Sequence, residues 1–364
     1  MKLGYTVTEE DALKNVKFIL KHRLSLSERL IKKLKYAGRI TSNATPVYIN
    51  ASVLAGDILE VDLAFDDINE DILPERMDLD ILYEDDSLIA LNKPPDMVVH
   101  PTSYHFTGTM ANGVMDYLLG KGIRTRIRPV SRLDRDTSGI IIFALNSYVQ
   151  EKLIRQMHEN TYHKEYVGIV HGNMKEASGV IDLPIERKPG SIMLRHVSAS
   201  GAPSVTRYEV LEHLKDADYV RFILETGRTH QIRVHCQAIG HPLVGDTLYP
   251  ALDGMDLTLK YPTPSLPSPG SAESATSCFS EDAVRHGSDF KEPVREDIFP
   301  PPPGLLKNMA SPGSPDHFVP AHVIGRHALH SLKTSFIHPV ANNFLELTAP
   351  VPPDISRALE ILKK

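Results

Sequence analysis

A charged segment directly followed by an apolar segment is the feature that most limits how this chain can fold. Residues 131–139 carry alternating arginines and aspartates, and residues 140–145 are entirely apolar. A short apolar run of this kind predicts a strand buried on both faces, so the charged segment lies at the end of a sheet. If that segment is extended, Arg132, Asp134 and Asp136 share one face of the chain.

The arginines determine the chemistry that the two carboxylates can perform. A carboxylate beside a guanidinium stays ionised, because the positive charge lowers its pKa. Such a group suits electrostatic or nucleophilic work on a polyanionic substrate, although an ion-pair cluster that merely ends a strand is an alternative. A hydrolase that uses Asp134 and Asp136 as an acid and base pair is a third interpretation. Nothing clearly raises one of the two pKa values, and residue chemistry alone does not choose between the two aspartates.

The order of predicted elements indicates an α+β fold with a mixed sheet. Residues 205–211 and 219–225 alternate between apolar and polar positions like neighbouring antiparallel strands. Residues 229–239 have the pattern of a helix, and strands and helices follow one another in irregular order. A Gly-x-Gly-x-x-Gly motif and a phosphate loop are both missing from the sequence, which disfavours a nucleotide cofactor.

The chain divides into two predicted domains. Residues 1–65 form a small α/β domain, with a helix whose apolar face includes Leu30 and Leu34 and whose start is capped by Ser25. Residues 66–80 form an acidic linker that is too charged to pack closely. The second domain covers residues 81–364, and a Pro-rich insertion at 251–320 is expected to be flexible.

The charge distribution is compatible with nucleic-acid binding despite a net charge of −6. Residues 62–86 carry −10 and residues 251–320 carry −5, so the rest of the chain carries +9. The helix of the first domain and the residues around it are notably basic. A solvated helix face and an RNA-binding face are equally compatible with this composition. The bases are Lys21, Arg23, Arg29, Lys32, Lys33, Lys35 and Arg39.

Several classes of function lose support. The two cysteines, Cys236 and Cys278, form no Cys-x-x-Cys motif, which indicates a reducing compartment and argues against a zinc site. His230 and His235 are five residues apart and lie on different faces of a helix, so a metal site is not expected. The first residues lack the apolar core of a signal peptide, and no apolar run is long enough to span a membrane. A cytoplasmic monomer without metal or cofactor is expected.

Several ordered motifs resemble those of the RluA-type pseudouridine synthases. The charged segment resembles their His-Arg-Leu-Asp-x-x-Thr-Ser-Gly signature, although Ser131 stands in place of the histidine. The other similar segments are residues 91–95 with 99–101, 163–172, 226–235, 240–246, 326–330 and 337–339. The resemblance spans roughly residues 80–250 and resumes after 320.

The resemblance implies an RNA-modifying isomerase with a pseudouridine synthase fold, built on a mixed, mostly antiparallel central sheet. It selects Asp134 as the catalytic carboxylate, by a nucleophilic or a glycal route, and it implies that Tyr166 stacks on the target base. It also implies that Arg228 pairs with Asp134 and that Arg132 replaces the extruded base in the RNA helix. Arg135 would contact phosphates, and the other arginines expected to do so are Arg124, Arg126 and Arg128.

The first domain resembles the S-four type of RNA-binding domain. This resemblance implies that basic residues on and after its helix bind phosphates, namely Lys32, Lys33, Lys35 and Arg39. Ribosomal RNA is then the favoured substrate, and transfer RNA is the second possibility. The replacement of the family histidine by Ser131 leaves an alternative, a catalytically silent RNA-binding or ribosome-assembly protein of the same fold.

Overall fold

The first domain is a small antiparallel sheet packed against two helices. The computed structural model describes residues 1–63, 69, 71–102, 105–250, 319 and 323–364. The elements of the first domain are β1 (Lys2–Thr6), α1 (Val16–His22), α2 (Glu28–Tyr36), β2 (Ile40–Ser42), β3 (Thr45–Pro46) and β4 (Ile58–Asp62). The strand order is β1-β4-β2-β3, with every pair antiparallel.

Helix α2 follows the predicted periodicity but begins at a different cap. The hydroxyl of Ser27 accepts a hydrogen bond from the backbone N–H of Leu30 at 3.1 Å, which is the usual N-cap interaction. Ser25 has a φ of +54° and does not cap the helix, so its predicted role is wrong. Gly38, with a φ of +63°, follows the end of the helix, and the chain leaves the helical conformation there through the left-handed region.

The second domain is built on one large mixed sheet. Its elements are β5 (Ile81–Glu84), β6 (Leu88–Lys93), α3 (Met110–Gly120), β7 (Arg128–Pro129), β8 (Ser138–Ala144), α4 (Ser147–His158), β9 (His163–His171), β10 (Ser178–Asp182), β11 (Ile185–Arg187), β12 (Arg195–Val197), β13 (Val205–Leu214), β14 (Ala217–Leu224), α5 (Gln231–Ala238), β15 (Leu329–Ile337), β16 (Phe344–Thr348) and α6 (Pro353–Leu362). The main path of the sheet is β10-β13-β14-β9-β15-β8-β6-β5. β16 pairs with β15, β7 pairs with β8, and β11 and β12 form a separate hairpin. The predicted α+β fold with a mixed, mostly antiparallel sheet is confirmed.

Strand β8 lies in the centre of this sheet and is buried on both faces, as the apolar run predicted. Ile140 and Ile142 belong to the core on one face, whereas Ile141 and Phe143 belong to the core on the other. β8 and β15 run parallel, while the other strand pairs of the sheet are antiparallel. A Cβ on Gly139 would lie 2.2 Å from the carbonyl oxygen of Ser331 in β15, so the two strands can approach only at a glycine.

The first domain packs against the second. Leu30 and Leu34 of α2 belong to the same apolar cluster as Val130, Ile140 and Tyr148 of the second domain. The domain boundary predicted at residue 65 stays a prediction, since this shared core means that the two parts are not independent in packing. The predicted insertion at residues 251–320 lies outside the described residues, apart from Val319.

Part of the acidic linker packs closely, contrary to expectation. Ile72 is 2% exposed, and the backbone carbonyl of Leu73 accepts a hydrogen bond from the side chain of Asn112 at 2.7 Å. Met77 lies directly over Gly113 of α3, where a Cβ would clash with its side chain. The prediction that residues 66–80 are too charged to pack is therefore wrong for Ile72, which is buried, and for Met77 and Leu79, which are half-buried. Leu73 and the acids of this stretch are mostly exposed.

Over the described ranges, no helix is both long and apolar enough to cross a membrane.

Candidate active site

The charged segment forms a loop between β7 and β8. It is not extended as expected, because the backbone N–H of Thr137 donates to the carbonyl of Asp134 at 3.2 Å and closes a turn. The turn separates the two candidate carboxylates. Asp136 contacts the guanidinium of Arg135 at 3.2 Å, whereas Asp134 faces helix α5.

A buried lysine holds one side of this loop. Lys93, at the end of β6, is fully buried, and its ammonium donates to the carbonyls of Pro94 at 2.7 Å, Met97 at 2.9 Å and Arg135 at 2.7 Å. Burial lowers the pKa of Lys93 to about 7, and the negative charge of Asp136 opposes this shift. Three carbonyl acceptors satisfy the three N–H donors of the ammonium, which makes the lysine a rigid support of the loop.

An arginine holds the next carbonyl of the same loop. The Arg326 guanidinium donates to the carbonyl of Asp136 at 2.8 Å and to the hydroxyl of Ser138 at 3.2 Å. It is also paired with Asp354 at the start of α6, at 2.7 and 3.1 Å. Two successive peptide carbonyls after Asp134 are therefore bound by buried cations from different elements. This arrangement fixes the backbone next to the carboxylate before any substrate binds.

Asp134 is the carboxylate that the loop presents to helix α5. Its side chain is 25% exposed, and one oxygen accepts a hydrogen bond from Arg233 at 3.1 Å. The other oxygen lies 3.7 Å from Nε2 of His230. Burial lowers the pKa of His230, and Asp134 only partly opposes this effect, so the imidazole is neutral at pH 7. Asp134 thus has one strong cationic partner and stays reachable from solvent.

Arg233 is itself held by a second carboxylate. Its guanidinium makes a two-pronged contact with Asp246, at 2.7 and 2.8 Å. Burial disfavours a charge on Asp246, but Arg233 holds the pKa of this carboxyl below its ordinary value. A bidentate arginine of this kind has a fixed orientation, so its Nη1 is aimed at Asp134.

The structure corrects the predicted partner of Asp134. Arg228 is exposed, and its Nε donates to the backbone carbonyl of Pro203 at 3.2 Å. The pairing predicted for Arg228 is therefore wrong, and Arg233 takes this place. The helix pattern contained a usable signal. Arg233 shares a face of the predicted helix with Cys236 three residues later, and cysteine is a residue type that is usually buried.

Tyr166 lies on β9 within the core behind the loop. It is 6% exposed, and burial raises the pKa of Tyr166 to about 12, with a further contribution from the charge of Asp134. The phenol therefore keeps its proton at neutral pH. Its hydroxyl is hydrogen-bonded to Ser331 on the adjacent strand. The predicted tyrosine and the predicted carboxylate thus interact electrostatically.

The predicted RNA-binding side chains are largely exposed, with one exception. Arg132 is exposed, and Arg135 is exposed but contacts Asp136 and, at 3.5 Å, Asp96. Arg128 is buried and donates to Thr125 and to a backbone carbonyl, so it is not a free phosphate contact. The four bases of the first domain that were predicted to bind phosphates are all exposed, and Arg39 pairs with Asp62 at 2.8 Å. They are Lys32, Lys33, Lys35 and Arg39.

A metal centre has no support in the part of the chain that the structure describes, since these residues contain no group of three or more suitable ligands. The two histidines considered as ligands have other roles. His230 contacts Tyr249 at 2.8 Å, and the buried His235 contacts Thr206 and the carbonyl of Leu183, each at 2.9 Å.

Comparison with known proteins identifies the class of this fold. A family model described as RNA pseudouridylate synthase matches residues 87–238, which include β6, the Asp134 loop and α5. The solved structure of human RNA pseudouridylate synthase domain containing 4 is similar in fold, with a TM-score of 0.50 and 19% identity over 78% of this chain and 92% of that chain.

Relatives of similar length establish the family. The RNA pseudouridine synthase YjbO of Bacillus subtilis is 32% identical over 93% of this chain and 95% of its own length. Ribosomal large subunit pseudouridine synthase D of Pasteurella multocida is 31% identical over 86% of this chain and 79% of its own length. The chain belongs to the RNA pseudouridine synthase family. It is accordingly an isomerase that converts uridine in RNA to pseudouridine.

Proposed function

We propose that this enzyme modifies specific uridines of ribosomal RNA, with Asp134 as its catalytic carboxylate. The observation that carries the assignment is the position of Asp134. It is paired with Arg233, partly exposed, and fixed by a loop whose next two carbonyls are bound by Lys93 and Arg326. Asp136 lacks such a setting, because its side chain contacts the exposed Arg135.

The reaction defines what this carboxylate has to do. The bond between C1′ of the ribose and N1 of uracil breaks, a bond between C1′ and C5 forms, and the proton on C5 is lost while N1 is protonated. An ionised carboxylate next to the sugar can drive the first step by nucleophilic attack or by a glycal route. Both routes need a negatively charged carboxylate that the protein holds in a fixed orientation. The contact with Arg233 supplies this orientation.

Ribosomal RNA is the proposed target, and transfer RNA is the alternative. Relatives named ribosomal large subunit pseudouridine synthase D support this choice, as does the basic first domain. We further propose that the enzyme acts as a monomer in the cytoplasm. Pseudouridine mapping across total RNA from a deletion strain, complemented with wild-type or Asp134→Asn protein, tests the target. Sites that are lost only in transfer RNA would contradict it.

Tyr166→Phe should lower turnover more than RNA affinity. The ring, which is the part that can stack on a base, is retained, whereas the hydroxyl that bonds to Ser331 and can help move a proton is lost. We expect kcat to fall by at least about tenfold with KM changed less than about threefold. Steady-state kinetics on a defined RNA measures both. An unchanged kcat would reduce Tyr166 to a packing residue.

Ser131→His should change the rate only modestly. Ser131 is half-buried at the start of the loop. The cations Lys93 and Arg326 bind the loop further on, at the carbonyls of Arg135 and Asp136. The site around Asp134 is therefore organised without a histidine at this position. We expect wild-type protein to form pseudouridine in unmodified RNA of the same organism, at a rate within about tenfold of the variant. Binding without any product from the wild type would favour a catalytically silent protein.

A further inference from the structure

A cleft between the two domains lies outside the catalytic site described above. Its volume is about 370 Å³. One wall is helix α2 of the first domain, which contributes Arg29, Leu30 and Lys33. The other wall belongs to the second domain, and it includes β7 with the residues before it and the first turn of α4.

The lining is cationic on both walls. Arg29 and Lys33 are one helical turn apart on α2, and Arg126 faces them from the second domain. All three are exposed, and none forms an ion pair with a carboxylate among the described residues. The buried Arg128 and the acidic Glu151 also line the cleft, so four positive charges stand against one negative charge. The cationic side chains of such a cleft repel one another when the cleft is empty, and a bound polyanion relieves this repulsion.

His100 connects this cleft with the catalytic loop. It lines the cleft, and its buried Nδ1 has no hydrogen-bond partner within the described ranges. Burial lowers the pKa of His100, Asp71 opposes the shift, and the nearby Arg132 adds to it. The neutral imidazole thus lines the cleft and interacts electrostatically with Arg132 of the catalytic loop.

We propose that this cleft binds the sugar-phosphate backbone of the RNA strand that flanks the target uridine. The strand passes Arg29, Lys33 and Arg126, contacts His100, and reaches Arg132 beside Asp134. A small apolar ligand does not fit a lining of this charge, because pockets that bind small molecules are mostly apolar and contain few polar groups. Phosphate contacts of this kind position an RNA without reading its sequence. The proposal rests on the proposed function, since it supplies the path to the same catalytic loop.

Binding of a single-stranded uridine 20-mer by full-length protein tests the path. The variant Arg29→Gln/Arg126→Gln removes one cation from each wall. If two phosphate contacts are lost, affinity near 150 mM salt should fall about tenfold, and the slope of log K against log salt should flatten by roughly 1.4. The matched control is Lys215→Gln/Arg357→Gln, which removes two exposed bases outside the cleft and should leave affinity and slope unchanged.

Two outcomes overturn the proposal. The first is an equal salt slope for the cleft variant and the control variant. The second is a loss confined to Lys32→Gln/Lys35→Gln, two bases on α2 that do not line the cleft, which would place the RNA on the outer face of the helix. Failure of the proposed function is separate. It would appear as wild-type protein that forms no pseudouridine in ribosomal RNA, whatever its salt slope with the 20-mer.

Discussion

Asp134→Asn should abolish pseudouridine formation while the protein stays folded and still binds RNA. The substitution removes the charge but keeps the shape, and the new amide oxygen can still accept the hydrogen bond from Arg233. Arg233 remains paired with Asp246, so no buried cation is left uncompensated. Because Asp134 is partly exposed, we expect unfolding free energy to change by less than about 1 kcal/mol.

Tritium release from C5 of labelled uridine in RNA measures the chemistry, and thermal unfolding measures the fold. Asp136→Asn is the matched control, because it neutralises the neighbouring carboxylate, which contacts Arg135 and not Arg233. We expect a loss of at least about 10³-fold for Asp134→Asn and less than about tenfold for Asp136→Asn. The reverse ranking would transfer the catalytic role to Asp136.

The sequence predicted the framework of this site well. The run at residues 140–145 is a buried strand because apolar side chains on both faces leave no solvated side, and the structure shows two cores there. The resemblance to a known family selected Asp134 and Tyr166 as site residues, and the charge of Asp134 influences the pKa of Tyr166. Local apolar patterning predicts the buried strand, and ordered motifs predict the site residues, because both depend on a few adjacent positions in the sequence.

Contacts between distant segments were harder to predict. Lys93 and Arg326 bind successive carbonyls of one loop although they are far apart in sequence, and only the folded chain brings them together. The packing of residues 71–80 was missed because composition averages over a segment, whereas burial is decided residue by residue, as Ile72 shows. A motif likewise gives the order of its residues without the direction of each side chain, which explains the exchange of Arg228 for Arg233.

The roles of Arg228 and Arg233 can be separated by substitution. Arg233→Met should lose activity by about 10²–10³-fold, because Asp134 loses the cation that orients it. It should also lower the unfolding free energy by about 3–5 kcal/mol, since the buried Asp246 loses its partner. Arg228→Met is the control. The exposed side chain contacts a backbone carbonyl, so we expect a stability change within about 0.5 kcal/mol and near-normal turnover at saturating RNA.

The pH dependence of stability identifies the mechanism of the Arg233 effect. In the wild type, Arg233 depresses the pKa of Asp246, so its contribution is present above the unfolded pKa of about 3.9 and is lost as the pH falls through the folded pKa. Without Arg233, burial is the largest influence on that pKa and raises it, against the smaller lowering effects of His327 and of the hydrogen bond from the Tyr249 backbone N–H. The folded variant should therefore take up a proton more readily than the unfolded chain. The stability gap between the two proteins should therefore narrow as the pH falls from 7 to about 4.

Arg233→Lys keeps the measurement informative if the methionine variant does not fold. Lysine retains the charge beside Asp246 but cannot make the two-pronged contact and reach Asp134 at the same time. We expect most of the stability to return while activity stays at least about tenfold below wild type. Chemical denaturation between pH 4 and 7, with tritium release at pH 7, distinguishes the cases. A fully active Arg233→Lys together with an inactive Arg228→Met would restore the pairing that the sequence motif suggested.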